Sequence, residues 1–468
     1  MKKALLILLV SAFAQCNIGT MVKSPTLAIT HVTIVDVTGG PSRTDMTVLI
    51  EGDEIAAITS AQDARVPQDA QVMDAKHGWL IPGLWDMHVH AHREGRTESF
   101  YPLFVAHGIT GIREMGSHLA SLLAWREAWK SESMAPRVVW GTPMFDGAPP
   151  TWSHGLGVET PEAARALVRS MKQAGFDFVK IYERLPRDVY FAIAEECKSA
   201  GIPFVGHVPI SATPAECAHA GQRSLEHMRF VLEGCIPGAL ERRVALGYDQ
   251  IGGGADPWLA ESLPKYDAKA AQSLFKEFID NGTWQVPTLT AYRGAFFVDD
   301  ASFSDDPRLV YVLPHIRKRW EEYRASVKPA ECAIGRRLFT KSVELAGEMH
   351  KAGLAMLAGT DASDEPWVFA GSSLHDELEL LVQAGLTPLE ALQTATLNPA
   401  RFLGATGTMG TVEPGMQADL IVLDADPLAD IRNTQKIRSV VLRGRLLDRQ
   451  ALDGLLSEAH KIAAQQGQ

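Results

Sequence analysis

The sequence predicts an α/β protein: a (β/α)8 TIM barrel with a small composite β-sandwich domain from both chain ends. Two observations predict this fold class. Between Pro82 and Leu403, short apolar runs alternate with helical stretches, which is typical of βα units and a parallel sheet. On either side, short β-rich runs are broken by turn residues, which favours antiparallel strands. We expect 27–80 and 407–450 to form the sandwich domain and 81–406 to form the barrel.

The first residues, 1–14, have the layout of a secretory signal peptide. Two lysines precede the apolar run ALLILLV, and the small-residue pattern AFA follows, which allows cleavage after Ala14. The run is too short to span a membrane. We therefore expect a periplasmic or secreted protein. Lipid attachment at Cys16 is the weaker alternative, because the residues around it fit that signal poorly.

The two β-rich ends share one sequence pattern, in which short apolar runs are separated by turn residues. The N-terminal end contains LAITHVTIVDV, MTVLIEGDEIAAI and QVMDAKHGWLI, and the C-terminal end contains ADLIVLDADP and IRSVVLRGRLL. Turn residues such as GGP, EGD and PQDA separate these runs. Short strands of this kind predict a sheet to which both ends contribute.

The central part contains eight candidate strands: GLWDMHV, GITGIRE, RVVWGTPM, FDFVKIY, IPFVGHV, QRSLEHM, WQVPTLT and AMLAGTDAS. Helices are expected between them. Two helix starts are well marked, since Thr213 and Thr387 are each followed by Pro and, three residues on, by Glu, which predicts capping boxes. The alternation of strands and helices is least clear at the seventh strand and in the irregular stretch 290–338.

Composition narrows the class of partner. The 468 residues carry a net charge of −11, and 46% of them are apolar. An acidic chain without a basic patch argues against a nucleic-acid partner. We expect scattered buried thiols rather than a disulfide framework, since no CxxC pair occurs, although an oxidising compartment leaves disulfides open. Apart from Cys16, the cysteines are Cys197, Cys217, Cys235 and Cys332.

Residues of metal-ligand type follow the apolar runs. His88 and His90 alternate at the end of the first strand, so their imidazoles share one face. Adjacent polar rings in a buried strand need a partner, and neutral imidazole is the commonest metal ligand. The strand ends converge at one mouth of a (β/α)8 barrel, where active sites lie. The other candidates at these ends are Lys180, His207, His227 and Asp361.

In the order HxH, VK, GH, EH and GTD, these residues resemble the ligand set of the amidohydrolase superfamily, within its imidazolonepropionase-like and prolidase-like branch. The segment PGMQADLIVLDADPL is similar to the closing β-sandwich strands of that family. The resemblance covers nearly the whole chain after the predicted signal peptide. It implies two divalent metal ions, usually Zn²⁺, bridged by a carboxylated lysine and a hydroxide, and it implies a homo-oligomer.

The chemistry of such a centre gives each residue a role. His88, His90 and Asp361 would bind one ion, and His207 and His227 the other. Lys180 would bridge as N6-carboxylysine, because an unmodified ammonium has no lone pair. The ions would lower the pKa of a bridging water towards about 7, and Asp361 would act as general base and then general acid. Nitrogen and oxygen ligands leave zinc, manganese or cobalt open.

Substrate contacts are expected from residues that follow the strands. His154 follows the third strand, and Tyr182 ends the fourth, two residues after Lys180 and so on the same face. Tyr292 and Arg293 follow the seventh strand. An arginine there could bind a carboxylate, although a solvated loop arginine is the competing interpretation. His92 is expected in a supporting or ordinary loop position. The remaining histidines of predicted helices are expected to be structural; they include His107, His219, His350 and His375.

The predicted function is hydrolysis of amide C–N bonds in a small-molecule substrate, such as a dipeptide or an N-acyl amino acid, ochratoxin-type amides included. Two alternatives remain. The first is hydrolysis of a cyclic amide of the imidazolonepropionate type, against which the export signal argues. The second is a binding protein that keeps the barrel without turnover, against which the intact ligand set argues.

Overall fold

A computed structural model describes residues 27–465 apart from 94–95, 133, 248–255 and 363–364. The predicted signal peptide at 1–14 and Cys16 lie outside the described residues, so both stay predictions.

Strands from both chain ends share one eight-stranded sheet. Its strands are β1 (Leu27–Ile34), β2 (Arg43–Glu51), β3 (Glu54–Ser60), β4 (Gln71–Asp74), β5 (Trp79–Pro82), β15 (Leu420–Leu423), β16 (Ile437–Leu442) and β17 (Arg445–Leu447). Their order is β17-β16-β15-β5-β1-β2-β3, and β4 pairs with β1. The two ends join where β15 runs antiparallel to β5. We call this the terminal sheet.

The central part supplies parallel strands. They are β6 (Leu84–Val89), β7 (Ile109–Glu114), β8 (Arg137–Trp140), β9 (Phe145–Asp146), β10 (Leu156–Gly157), β11 (Val179–Ile181), β12 (Phe204–Gly206), β13 (Ser224–Glu226) and β14 (Trp284–Val286). One ladder runs β6-β7-β8 and another runs β10-β9-β11-β12-β13-β14. Every residue of β6 and β7 is buried, as expected of strands covered on both faces.

Single parallel bridges connect these ladders. Gly141 pairs with Phe178, which joins the end of β8 to the start of β11. The segment 355–362, which we call the eighth segment, pairs with β14 through Met356 and with β6 through Ala362. The sequence predicts a strand here, and the described residues form isolated bridges in place of a continuous strand. The predicted seventh strand is likewise shorter than expected, because β14 ends at Val286. The result is a TIM-barrel-like arrangement plus a sheet.

Within the described residues, sixteen α-helices connect and cover the strands. They are α1 (Thr97–Ala106), α2 (Leu119–Trp129), α3 (Pro161–Gln173), α4 (Arg187–Ala200), α5 (Pro214–His219), α6 (Met228–Gly234), α7 (Ala239–Leu246), α8 (Pro257–Ser262), α9 (Ala268–Asn281), α10 (Leu289–Phe296), α11 (Pro314–Ser326), α12 (Pro329–Lys351), α13 (Ser372–Gln383), α14 (Pro388–Thr394), α15 (Leu397–Leu403) and α16 (Arg449–Gln465). Short 3₁₀ helices lie at Leu263–Lys265, Ala301–Phe303, Pro307–Tyr311 and Ile431–Gln435.

Both predicted capping boxes are confirmed. The Thr213 side chain accepts from the backbone N–H of Glu216 at the start of α5, and Thr387 does the same for Glu390 at α14. The side chain of each Glu in turn accepts from the backbone N–H of its Thr. Two N–H groups that the helix itself leaves without a partner are therefore satisfied at each start.

The C-terminal helix α16 lies beyond the predicted sandwich segment and packs on α1 of the barrel. The predicted domain boundaries stay a prediction. The four cysteines of the described part, Cys197, Cys217, Cys235 and Cys332, are free and buried. No described helix combines the length and the apolar character that crossing a membrane requires.

Candidate metal centre

The six predicted ligands all lie at the C-terminal ends of the parallel segments. His88 is the last residue but one of β6, and His90 follows that strand. Lys180 is the middle residue of β11, whereas His207 and His227 come directly after β12 and β13. Asp361 lies near the end of the eighth segment.

Distances between the side chains suit a divalent ion. Asp361 Oδ1 lies 3.4 Å from His88 Nε2 and 3.3 Å from His90 Nε2. Two atoms that bind one tetrahedral ion at the usual zinc distances lie about 3.4 Å apart, so these three side chains fit one ion. Ligand atoms of His88, His227 and Asp361 also lie within 4.8 Å of one another.

His207 extends this cluster through its contact with His227. The centroid of its ring lies 4.6 Å from that of His227, which in turn lies 4.9 Å from the ring of His88. The four imidazoles therefore form one continuous group. The expected division, with His207 and His227 on a second ion, stays a prediction.

Lys180 is fully buried, and its charge acts on His88, His207 and His227. Its Nζ makes no hydrogen bond to any described residue. Burial lowers the pKa of the ammonium to about 8, against the attraction of Glu226 and Asp361. A buried amine without a partner is costly, so the site calls for a group that the polypeptide does not provide. A carbamate that ligates metal would meet that need.

The other ring nitrogen of each histidine is held from outside the centre. Nδ1 of each ring makes a hydrogen bond: His88 to Glu226 Oε2 (2.9 Å), His90 to Gly116 O (2.9 Å), His207 to Glu183 Oε1 (2.9 Å) and His227 to Thr288 Oγ1 (2.8 Å). When Nδ1 donates, Nε2 has a free lone pair that can bind a metal ion. Burial lowers the pKa of His88, His207 and His227, which keeps these rings neutral.

Glu226 is itself held by a buried arginine. Arg113 Nη2 donates to both carboxylate oxygens of Glu226 at 2.9 and 2.8 Å, and neither side chain is exposed. The Ser224 hydroxyl donates to Glu226 Oε1 at 2.5 Å. The Arg113–Glu226 ion pair fixes the plane of the His88 ring, because the carboxylate cannot move without leaving the buried arginine unpaired.

Asp86 fixes the backbone on either side of the centre. Its carboxylate accepts from the Thr360 N–H at 3.0 Å, from the Thr360 hydroxyl at 2.6 Å and from the His88 N–H at 3.2 Å. Burial raises the pKa of Asp86 to about 7. The result is that β6 and the eighth segment, which carry His88 and Asp361, are tied together.

Three non-glycine residues around the centre have left-handed backbone. His227 has φ 70°, Thr288 has φ 48° and Asp361 has φ 64°. This conformation is unfavourable for residues with a Cβ and concentrates at functional sites. It turns the imidazole and the carboxylate towards the mouth at the point where each strand segment ends.

The family comparison agrees with this geometry. Residues 289–447 match the model of the amidohydrolase family. The predicted resemblance to the amidohydrolases is confirmed. The matched residues run from the end of the seventh strand through Asp361 to the last strand of the terminal sheet.

Curated relatives are similar over short stretches. A dihydroorotase of Pelotomaculum thermopropionicum is 46% identical over 72 residues, 15% of this chain and 16% of that protein. An ochratoxinase of Aspergillus niger is 35% identical over 92 residues, 19% of this chain and 18% of that protein. These alignments span less than a fifth of either relative.

A solved structure agrees over most of the chain. A Xaa-Pro dipeptidase with bound methionine has a TM-score of 0.66 and 19% identity, covering 90% of this chain and 99% of its own. At that identity the likeness concerns the fold. It supports a shared fold that includes both the central part and the terminal sheet.

The four predicted substrate contacts have different surroundings. His154 is 9% exposed in the loop between β9 and β10, and the ring of Tyr182 lies 4.2 Å from that of His207. The Tyr292 hydroxyl accepts from the backbone N–H of Arg229 at 2.9 Å. Arg293 is exposed on α10, the surroundings of a solvated arginine. The substrate role of all four stays a prediction.

His92 lies beside the centre rather than in it. Its Nδ1 is 2.6 Å from Glu114 Oε2 and its Nε2 is 2.6 Å from the Tyr101 hydroxyl, so both nitrogens are used. The other histidines of the predicted helices lie in helices or at their ends. His375, for example, contacts the Thr434 hydroxyl and the carbonyl of His107, neither of which belongs to a predicted ligand side chain.

Sequence reasoning missed the residues that hold the ligands. Glu226 precedes His227 in the EH motif, yet it supports His88 on another strand. Glu183 and Thr288 were not singled out either, although each follows an apolar run. Arg113 could have been noticed as a charged residue inside the predicted strand GITGIRE.

Proposed function

We propose that the protein is an exported metal-dependent hydrolase of amide C–N bonds, acting on dipeptides or N-acyl amino acids, ochratoxin-type amides included. The observation that carries the proposal is the position of Asp361, whose Oδ1 lies within 3.4 Å of two buried imidazole nitrogens. The unpartnered Lys180 in the same group supports a carbamate ligand.

Two divalent ions, held by His88, His90, His207, His227, Asp361 and carboxylated Lys180, would supply Lewis acidity and acidify a water molecule. Zinc is our first choice, since imidazole and carboxylate ligands suit it. The Lys180 amine forms the carbamate by bonding to the carbon of carbon dioxide and losing a proton. Its burial and the lack of a competing hydrogen bond favour this product.

Asp361 is proposed to move the proton. One carboxylate oxygen takes a proton from the attacking water and gives it to the leaving nitrogen, which is general base followed by general acid. The left-handed backbone at Asp361 and the tie between Thr360 and Asp86 hold the carboxylate in place. The imidazole nitrogens around it would be engaged as metal ligands, so Asp361 is the group we assign to carry the proton.

The names of similar proteins support amide substrates. One similar structure is called a Xaa-Pro dipeptidase and one relative an ochratoxinase. We extend to this chain the dipeptide cleavage that the first name states and the ochratoxin-type substrates that the second name indicates. The acidic composition gives no reason to expect a nucleic-acid partner, and a homo-oligomer stays a prediction.

A cyclic amide substrate is the second candidate, because another relative is called a dihydroorotase. The test is a panel of dipeptides and N-acyl amino acids against cyclic amides and imides, with protein purified in the presence of zinc and bicarbonate. Turnover of the linear amides supports the proposal, and exclusive turnover of the cyclic ones favours the alternative. If the protein hydrolyses no amide at full metal occupancy, the result favours a binding protein without turnover.

Export is tested separately. Expression of the full chain in a bacterium, followed by fractionation and N-terminal sequencing, should give a periplasmic or secreted protein that begins after Ala14. Protein that keeps residue 1 and stays in the cytoplasm would refute export without affecting the proposed chemistry.

A further inference from the structure

Four side chains at the mouth form a group that we call the aromatic wall: His118, Trp152, His154 and Tyr182. They come from three different loops. His118 follows β7, Trp152 and His154 lie between β9 and β10, and Tyr182 follows β11. Loops at the C-terminal ends of barrel strands form the entrance to the site.

The wall is continuous from solvent to the candidate metal centre. The Trp152 indole N–H donates to the Tyr182 hydroxyl at 3.0 Å. The ring of Trp152 stacks on that of His154 with 6.1 Å between centroids, and His154 contacts the edge of His118 at 5.5 Å. The Tyr182 ring lies 4.2 Å from the His207 ring. An exposed indole is therefore one side chain away from a predicted ligand.

The loop that carries Trp152 is firmly held. The buried carboxylate of Asp146 accepts from the backbone N–H groups of Thr151 and Arg184, each at 2.7 Å. The Gly155 N–H donates to the carbonyl of Trp152 at 2.8 Å. Pairing of β10 with β9 closes the loop. Trp152 is nevertheless 47% exposed, so a large apolar surface is held in water in one orientation.

Single exposed apolar residues are ordinary on protein surfaces. Trp152 differs because its N–H is bound to a tyrosine that packs on the centre. A rigid indole in such a position can offer its face to a planar ring, which prefers offset stacking. The polar edge of the indole is used internally, which leaves the apolar face for a ligand.

We infer that Trp152 and Tyr182 form a subsite for a planar aromatic group of the substrate, on the acyl or the amine side of the scissile amide. The inference rests on the proposed function and names its substrate class. Trp152 acts as a specificity-determining residue, and the Asp146 contacts keep its loop in place.

The experiment compares matched substrates with the metal-loaded protein. Benzoylglycine against acetylglycine tests the acyl side, and glycylphenylalanine against glycylalanine tests the amine side. For at least one pair, W152A should lower kcat/KM of the aromatic member about tenfold, through KM, and leave the other member unchanged. W152F should keep most of the preference for the aromatic member of that pair. L123A is the control, because Leu123 on α2 is also exposed, at 43%.

An equal effect of W152A on both members of both pairs, or no effect, would overturn the inference. So would a W152F protein that behaves like W152A, since the hydrogen bond to Tyr182 would then be what matters. If the wild type hydrolyses none of the four compounds, it is the proposed function that fails. Calorimetric titration with the same compounds then decides the inference: tighter binding of an aromatic member, weakened by W152A, supports it, and equal binding refutes it.

Discussion

At the barrel mouth, imidazoles, a lysine and carboxylates are buried side by side, whereas the terminal sheet buries almost only aliphatic side chains. The sheet core contains Leu27, Ile29, Val48, Leu80 and Val422, each at most 1% exposed. Left-handed non-glycine residues occur in both regions. In the sheet they include the exposed residues His31, Asp45 and Lys76, and at the mouth they are His227, Thr288 and Asp361.

The difference indicates what each region is built for. A sheet of apolar side chains is stabilised by the apolar area removed from water, and its residues with unfavourable backbone named above are exposed. The mouth buries polar groups and strained residues that destabilise the fold unless something binds them. The comparison therefore predicts that changes at the mouth affect activity first, and that changes in the sheet affect stability first.

The largest effect is expected from D361N. The amide has the same shape and cannot accept the proton, so kcat should fall by about 10²–10⁴-fold while the thermal unfolding midpoint stays close to that of the wild type. Steady-state kinetics and calorimetry measure the two quantities. D45N in the terminal sheet is the matched control, since Asp45 also has positive φ. Substantial kcat in D361N would remove Asp361 from its acid/base role.

K180A should lower both metal content and activity. Without a carbamate the two ions lose a shared ligand, so we expect substoichiometric metal by elemental analysis and a loss of activity of at least about 100-fold. K269A is a suitable control, because Lys269 lies in the exposed first turn of α9. Unchanged metal content and turnover in K180A would refute the bridging role.

E226Q should have an intermediate effect. The change weakens the hydrogen bond to His88 and leaves Arg113 with a neutral partner, and loss of such a support typically costs about 10–100-fold in metal affinity. Competition with a chelator measures this affinity. A drop in stability without any change in affinity would mean that the Arg113–Glu226 pair only holds the barrel strands together.

I29A in the terminal sheet should leave kcat nearly unchanged. Ile29 is fully buried in β1, and its truncation should lower the free energy of unfolding by about 2–5 kcal/mol. V72A is the surface control, because Val72 on β4 is 56% exposed. Denaturant unfolding of the metal-loaded protein gives the difference. A large loss of kcat in folded I29A would show that the two regions are not separable.

The sequence alone determined where short apolar runs alternate with helical stretches. It also determined which residues of metal-ligand type lie at the ends of those runs. Six ligand candidates could be predicted, because the C-terminal ends of all strands of a barrel meet at one mouth. They are His88, His90, Lys180, His207, His227 and Asp361. The capping boxes at Thr213 and Thr387 were equally readable, since all their bonds are local.

Only the tertiary structure decided what surrounds those residues. Glu226 supports a histidine 138 positions earlier, Asp86 bonds to Thr360 across 274 positions, and Trp152 bonds to Tyr182 from a separate loop. The eighth segment pairs through single bridges, which its apolar run did not reveal. These partnerships depend on distances between segments far apart in the chain, and periodicity within a segment contains no information about them.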